Sequence, residues 1–387
     1  MKIALVLDRF DPELGGLESW TASLARWLVE RGHDVHVFAG TRSAHAVPSG
    51  MSFVPIPPAA SRLGRARNAE RLLRELRADV VHDTGTGWYF DVFQPQFGSR
   101  IADWKQNLLL ERWPRRIARW LSPRLRLAYL ERRRLEARQL ASRRGVIVAV
   151  SRMVESQLRT LHGVPSERIR VVYNGVDTER FRPARRQSDR PAIRRELAFE
   201  ADDAVFLLTA HNLRLKGGAV ALAAFARLAR DHPGAHLAVI GRGDTTRWRA
   251  LAARLGIARQ VHFLGFVDEP ARYYAAADAL VHLTFYDPCS LVVLEAWASG
   301  LPVITTRHNG AAELMRAGVH GFVVDDPTDP DEVSVLMGRL LDARLRNAIA
   351  EPARALALAH SRDVNFAEIA TLYEQAIDQR RCDERPG

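Results

Sequence analysis

The chain of 387 residues has only two cysteines, Cys289 and Cys382. That is too few for a disulfide framework and points to a reducing compartment. No apolar run approaches the ~18 residues that a membrane-spanning helix needs. The opening MKIALVLDRF has too short an apolar core for a signal peptide before charge returns, so Ile3 to Leu7 reads as a buried first strand. No G-x-G-x-x-G fingerprint follows that strand, which argues against a dinucleotide-dependent oxidoreductase. No His/Cys cluster has zinc spacing. Asp329-Pro330-Asp331 is a formal D-x-D, but it stands before a helix and reads as a cap, so no metal is expected. Internal repeats and low-complexity segments are also missing.

Acid is scarce relative to base. Lys and Arg total 56 against 45 Asp and Glu, a formal net charge of +11. Such an excess implies an anionic partner: nucleic acid, an acidic membrane or a phosphorylated substrate. Much of it lies between Arg112 and Arg134, where nine arginines face one acid, Glu131. Trp113, Ile117, Trp120 and Leu121 fall at helical spacing there, and Pro114 and Pro123 divide the stretch. A basic amphipathic helix with Trp113 and Trp120 at its apolar edge and Arg115, Arg116 and Arg119 beside them suits an anionic membrane surface. The plain alternative is a core helix with solvated arginines. A nucleic-acid-binding module is the weaker reading, because no helix-turn-helix or RNA-type motif accompanies the charge.

The apolar fraction of 47% allows the cores of two or three domains. Strand–loop–helix units recur. Ile3–Leu7 leads through Gly15 and Gly16 into a helix from Leu17 to Glu30, and Val35–Phe38 follows as a strand. A basic helix near Ser61–Arg77, a strand Asp79–His82 and a Gly- and aromatic-rich loop come next, with His82 read as a core histidine. The strand Gly145–Val150 is followed by a helix that Ser151 caps. Pro183–Pro191 is polar and basic, as a linker would be. A second set opens with strand Ala204–Ala210, the loop HNLRLKGG and an apolar helix. Arg214 and Lys216 stand there before a Gly pair, where Arg offers a bidentate and Lys a point contact to phosphate. Strand His236–Ile240 ends in the Gly-rich GRGD. Strand Gln260–Leu264 leads to GFVDEP, where Asp268 is placed to cap the next helix, and HNGAAELM is expected to start another.

The most informative stretch is Ala277 to Thr306. It reads as strand, loop, helix, turn and strand, with Ser290 as N-cap of a helix Leu291–Ser299 and Gly300 and Pro302 ending it. A helix that starts at the carboxyl end of a parallel strand directs free N–H groups, here those of Ser290, Leu291 and Val292, and its dipole at an anion. Asp287 and Glu295 bracket that helix mouth. A phosphate between two carboxylates suits a sugar nucleotide. An ordinary strand–loop–helix with a solvated Asp and a helix-face Glu is the plain alternative.

Asp287, seven residues, Glu295 and the following Gly-x-Pro-Val resemble the acidic motif of the retaining family 4 glycosyltransferases. HNLRLKGG and the string GVPSERIRVVYNGVDTERFRP resemble that family's phosphate loop and interdomain hinge. The resemblance implies an α/β fold of two Rossmann-like domains facing across a cleft, the GT-B fold. It places an acceptor-side domain at 1–175, a nucleotide-sugar domain at 176–362 and a helix at 363–380 that crosses back. It implies that Arg214 and Lys216 bind the donor diphosphate, that Asp287 contacts donor-sugar hydroxyls and that Glu295 holds the ribose. Gly15, Gly16 and Gly241 lie in loops that match the donor side, Glu18 is a candidate on the acceptor side, and Phe266 and Val267 are candidates for nucleobase contact. Asp287 replaces the usual Glu and is one methylene shorter, and no His occurs from Asp83 to His162, where relatives often carry one. Gln94 and Gln96 stand there instead. The implied reaction moves a hexose from a nucleotide sugar, UDP-glucose or similar, to a saccharide or lipid-linked acceptor. It uses the nucleotide sugar as co-substrate, with no other cofactor. The expected location is the cytoplasmic face of the inner membrane, and the narrower resemblance is to the lipopolysaccharide core glucosyltransferases. A catalytically degenerate sugar-nucleotide binder is the alternative within the family.

Overall fold

The computed structural model describes residues 1–43, 50–110, 121–142 and 145–383. The segment carrying Trp113, Arg115, Arg116, Arg119 and Trp120 lies outside the described residues. The chain forms two compact α/β units, Met1–Tyr173 with Asn365–Gly387, and Asn174–Val364.

The first unit is built on a parallel sheet of β1 (Lys2–Val6), β2 (Asp34–Ala39), β3 (Met51–Pro55), β4 (Val80–Asp83), β5 (Val92–Phe93), β6 (Val146–Ala149) and β7 (Ile169–Val171), in the order β3-β2-β1-β4-β5-β6-β7. Strands buried on both faces read as unbroken apolar runs, and Ile3 to Leu7 is such a run, at most 1% exposed. The helix Gly16–Glu30 buries Trp20, Leu24 and Leu28. The C-terminal helix Arg362–Asp383 adds Phe366, Ile369, Leu372 and Tyr373 to the same core cluster. Each such large apolar side chain contributes roughly 1.5–3 kcal/mol on burial. Trp20 also donates from its indole N–H to Asn365 Oδ1 at 2.9 Å. His82 is the core histidine its strand-end position suggests: it is fully buried, and its Nδ1 lies 2.6 Å from the Tyr373 hydroxyl.

The second unit repeats the plan with β8 (Ala204–Thr209), β9 (Ala235–Ile240), β10 (Val261–Gly265), β11 (Ala279–His282), β12 (Val303–Thr306) and β13 (Gly321–Val324). All are parallel, in the order β10-β9-β8-β11-β12-β13. Strand order reverses between β8 and β11. In open parallel sheets ligands bind outside the carboxyl ends of the strands at such a switch point. The two-sheet parallel α/β architecture expected from the sequence is therefore present.

Four local expectations are corrected. Pro183–Pro191 is not a linker. It runs through the helix Arg185–Ser188 into the helix Arg190–Glu196, and Arg186, Arg190 and Arg194 of these helices reach the buried Asp278 carboxylate at 3.4, 2.8 and 2.8 Å. A buried carboxylate needs such partners. Asp268 does not cap the helix Pro270–Ala276, because Glu269 intervenes as the residue before it. HNGAAELM forms only a short 3-10 turn, Gly310–Leu314, with Asn309 accepting from Ala311 N–H. Ser290 precedes its helix without capping it. Asp329, in contrast, does cap the helix Pro330–Arg339, accepting from Asp331 and Glu332 N–H, which accounts for the D-x-D string. No helix among the described residues is long and apolar enough to cross a membrane.

Candidate active site

The site residues of the second unit gather at the switch point. After β8 the chain turns through His211–Gly217 into the helix Gly218–Asp231. Gly217 has φ +71°, and a Cβ there would collide with the Leu283 carbonyl, so the position requires glycine. Phe285 N–H donates to Leu215 O at 2.9 Å, which clips this turn to the loop after β11. The clip sets Lys216 against Asp287, and Nζ lies 2.5 Å from Oδ2.

Asp287 is held on its backbone as well. Its N–H donates to His308 O at 2.9 Å, and its carbonyl accepts from Gly310 N–H at 2.8 Å. Burial opposes ionisation of this carboxyl, but Lys216 and His282 outweigh it and hold Asp287 well below the usual carboxylate range. Glu295, one turn into the helix Leu291–Ala298, accepts from the Tyr274 hydroxyl at 2.8 Å. Burial pushes its carboxyl up, against the Tyr274 hydrogen bond and the Arg180 and Arg362 charges. The helix mouth between the two carboxylates carries no side-chain cap. Ser290 Oγ instead faces His282 Nε2 at 3.3 Å, and Ser290 N–H donates to Asn309 Oδ1. Leu291 and Val292 are half-buried at this mouth.

Beside it opens a cavity of about 300 Å³ lined by His211, Arg214, Gly241, Arg242, Trp248 and Gly265, among others. Gly241 has φ +144°, and a Cβ there would strike the Ala210 carbonyl, so the β9 loop passes too close to β8 for any side chain. Phe266, 43% exposed, carries the Arg242 guanidinium 3.6 Å from its ring centroid. Val267 follows it on the surface loop and is half-buried. The structure thus brings Arg214 and Gly241 around one cavity, with Phe266 outside its lining and stacked on the lining residue Arg242, and Lys216, Asp287, Ser290, Leu291, Val292 and Glu295 around the adjoining helix mouth. A cation, two carboxylates and an uncapped helix start can hold a diphosphate with a hydroxylated group on either side.

In the first unit, Gly15 is extended and precedes the helix Gly16–Glu30. Glu18 is half-buried in the first helical turn, its carboxyl pushed up by burial. Sequence reasoning missed four residues that shape these sites. His282 and Tyr274 orient the two carboxylates, Asn309 links β12 to Ser290, and Asn174 donates to Cys289 O at 2.9 Å. A histidine at a strand end five residues before an acid was a signal for the first. The others are contacts between distant segments.

Residues 14–180 match the family model "Glycosyltransferase Family 4", and residues 189–356 match "Glycosyl transferases group 1". A D-inositol 3-phosphate glycosyltransferase of Acidothermus cellulolyticus is 29% identical over 95% of this chain and 87% of its own. Among solved structures, WaaG, a glycosyltransferase involved in lipopolysaccharide biosynthesis, superposes with a TM-score of 0.79. It is 23% identical, over 97% of this chain and 98% of its own. Anabaena HepE in complex with UDP and glucose gives a TM-score of 0.72 at 20% identity, over 96% and 98%. At these identities the structural likeness establishes a shared fold.

Proposed function

Since the chain belongs to the group 1, family 4 glycosyltransferases and has their GT-B fold, we propose that it moves a hexose from a nucleotide diphosphate sugar, with retention of anomeric configuration, to a saccharide or lipid-linked acceptor. The observation that carries this reading is the Lys216–Asp287 pair at the uncapped mouth of the helix Leu291–Ala298. In this reading Lys216, Arg214 and the helix N–H groups of Leu291 and Val292 meet the diphosphate, whose charge grows as the glycosidic bond breaks. Asp287 faces the sugar and Glu295 the ribose. Phe266 and Val267 flank the base. Catalysis is then mainly positioning and charge neutralisation, without a metal. The leaving diphosphate takes the acceptor proton, so no protein base is required. Gly15, Gly16 and Glu18 serve the donor phosphates and the acceptor.

The donor is UDP-glucose or a close relative, a choice supported by the UDP and glucose bound in HepE. A lipopolysaccharide-type acceptor is in keeping with WaaG's involvement in lipopolysaccharide biosynthesis. The enzyme works at the cytoplasmic face of an anionic inner membrane. The helix Pro123–Ala141 supports this placement, because its buried residues begin only at Leu135. Before that point Leu125, Leu127 and Leu130 are exposed together with Arg124, Arg126, Arg132, Arg133 and Arg134. Leu127 and Leu130, one turn apart on a helix crowded with exposed arginine, suit contact with an acidic bilayer. A thermal-shift panel of nucleotide sugars, followed by hydrolysis assays on the hit, tests the central reading. Stabilisation by a UDP-sugar and slow release of UDP are expected, and a flat panel would overturn it.

A further inference from the structure

His282 lies behind the acidic loop. It is the last residue of β11, it is 1% exposed, and its ring is aimed at the site. Nε2 stands 3.3 Å from Asp287 Oδ2 and 3.3 Å from Ser290 Oγ, while Nδ1 has no hydrogen-bond partner among the described residues. A neutral imidazole carries one N–H. On Nδ1 that proton would be buried and unpaired, and the Nε2 lone pair would face a carboxylate. The geometry therefore selects the Nε2–H tautomer, donating to Asp287, with the Ser290 hydroxyl beside it. Burial lowers the imidazole's affinity for a second proton, and the Lys216 charge adds to this against the pull of Asp287. The ring is fixed from its backbone too. The His282 carbonyl accepts from Thr305 Oγ1 at 2.8 Å and from Thr284 N–H at 3.0 Å.

Asp287 thus has two side-chain partners of different kinds. Lys216 sits on the mobile end of a four-carbon stem and is the residue a phosphate would recruit. His282 is immobile and buried. We propose that His282 is the positioning residue for Asp287: it keeps the shorter carboxylate aimed at the donor sugar when the diphosphate draws Lys216 away. Asp287 lacks the extra methylene of the usual Glu, so its oxygen has less latitude, and a rigid N–H behind it takes the place of reach. The inference rests on the nucleotide-sugar reading above.

The test compares wild type, His282→Leu and His282→Gln in binding of UDP and of UDP-glucose and in UDP-glucose turnover. Glutamine places an amide N–H close to the position of imidazole Nε2, and leucine does not. Loss of one hydrogen bond to a charged group predicts a fall of about 10- to 100-fold in kcat/KM for His282→Leu. UDP affinity should stay at the wild-type value, UDP-glucose affinity should drop to that of UDP, and His282→Gln should recover most of the loss. A purely structural role would lower UDP and UDP-glucose binding together, in step with the melting temperature, and would overturn the proposal. Glutamine no better than leucine, or leucine equal to wild type, would overturn it as well. The same comparison is made with whichever nucleotide sugar stabilises the wild type, and a wild type that neither binds nor cleaves any of them would overturn the functional reading and this inference with it, so the two failures are distinguishable.

Discussion

Replacing Lys216 by methionine removes the cation 2.5 Å from Asp287 and leaves the aliphatic stem. The side chains of Lys216 and Asp287 are 19% and 15% exposed, so the pair is mostly dry and weakly screened. Two unit charges about 4 Å apart at an effective dielectric near 20 attract by about 4 kcal/mol, before desolvation is charged against them. Stranding one partner of a buried pair costs about 3–5 kcal/mol. With His282 still donating to Asp287 and some water access, a loss of about 2–4 kcal/mol at neutral pH is expected for the second unit. The sign with pH follows from Asp287. Its carboxyl is depressed in the folded chain, so its contribution is present above the ordinary carboxylate value and is lost as pH falls through the depressed one. In Lys216→Met that carboxyl rises toward the ordinary range, so the variant's deficit should shrink as pH is lowered through that range, about 4, toward the depressed value. Urea unfolding of wild type, Lys216→Met, Asp287→Asn and the double variant isolates the pair. The double variant should be more stable than the sum of the single losses predicts, by about 1–3 kcal/mol. Strict additivity, or a deficit unchanged on acidification, would refute the reasoning.

Glu295→Ala should weaken UDP-sugar binding by about 1–3 kcal/mol in calorimetry, the scale of one hydrogen bond to a charged group. Unchanged affinity with an intact fold would remove Glu295 from the donor site. Burial lowers His82 to about 3, so below its ordinary value the unfolded chain binds a proton that the folded chain does not. Stability should fall on acidification from pH 6.5 by up to about 1.4 kcal/mol per pH unit, and His82→Gln should show a slope shallower by that amount in pH-resolved denaturation. Binding to acidic but not neutral liposomes should weaken with salt, and it should be lost when Leu125 and Leu127 become Asp and Arg124 and Arg126 become Gln. Equal flotation of the variant and the wild type would rule out the helix Pro123–Ala141 as the docking surface.

The parallel strands were legible because they are buried on both faces and read as apolar runs, as in Ala204–Thr209 and Ala279–His282. The site's outline was legible for a related reason: glycines and a helix start mark where loops pass one another closely at the strand ends, as at Gly217 against Leu283 and Gly241 against Ala210. What stayed hidden depends on distant segments meeting. Nothing near Glu295 in the chain announces Tyr274 as its donor, and Asn174 reads as a turn residue although its amide holds Cys289. The arginines of 183–191 look like a solvated linker until Asp278 is seen beneath them. With Arg194 just beyond them, the positions 186, 190 and 194 recur every four residues, a helical signal that polarity alone obscures. Ser290 fits the preferred N-cap type, but the nearby imidazole of His282 occupies its hydroxyl, and tertiary contact overrides local preference there.

The most direct test of the account is proton NMR of the anomeric signals during turnover of UDP-glucose with a saccharide acceptor. The α configuration of the donor should persist in the first-formed glycosidic product, and Lys216→Met should slow its appearance. A β-linked first product, or no transfer by the wild-type protein from any nucleotide sugar that stabilises it, would contradict the account.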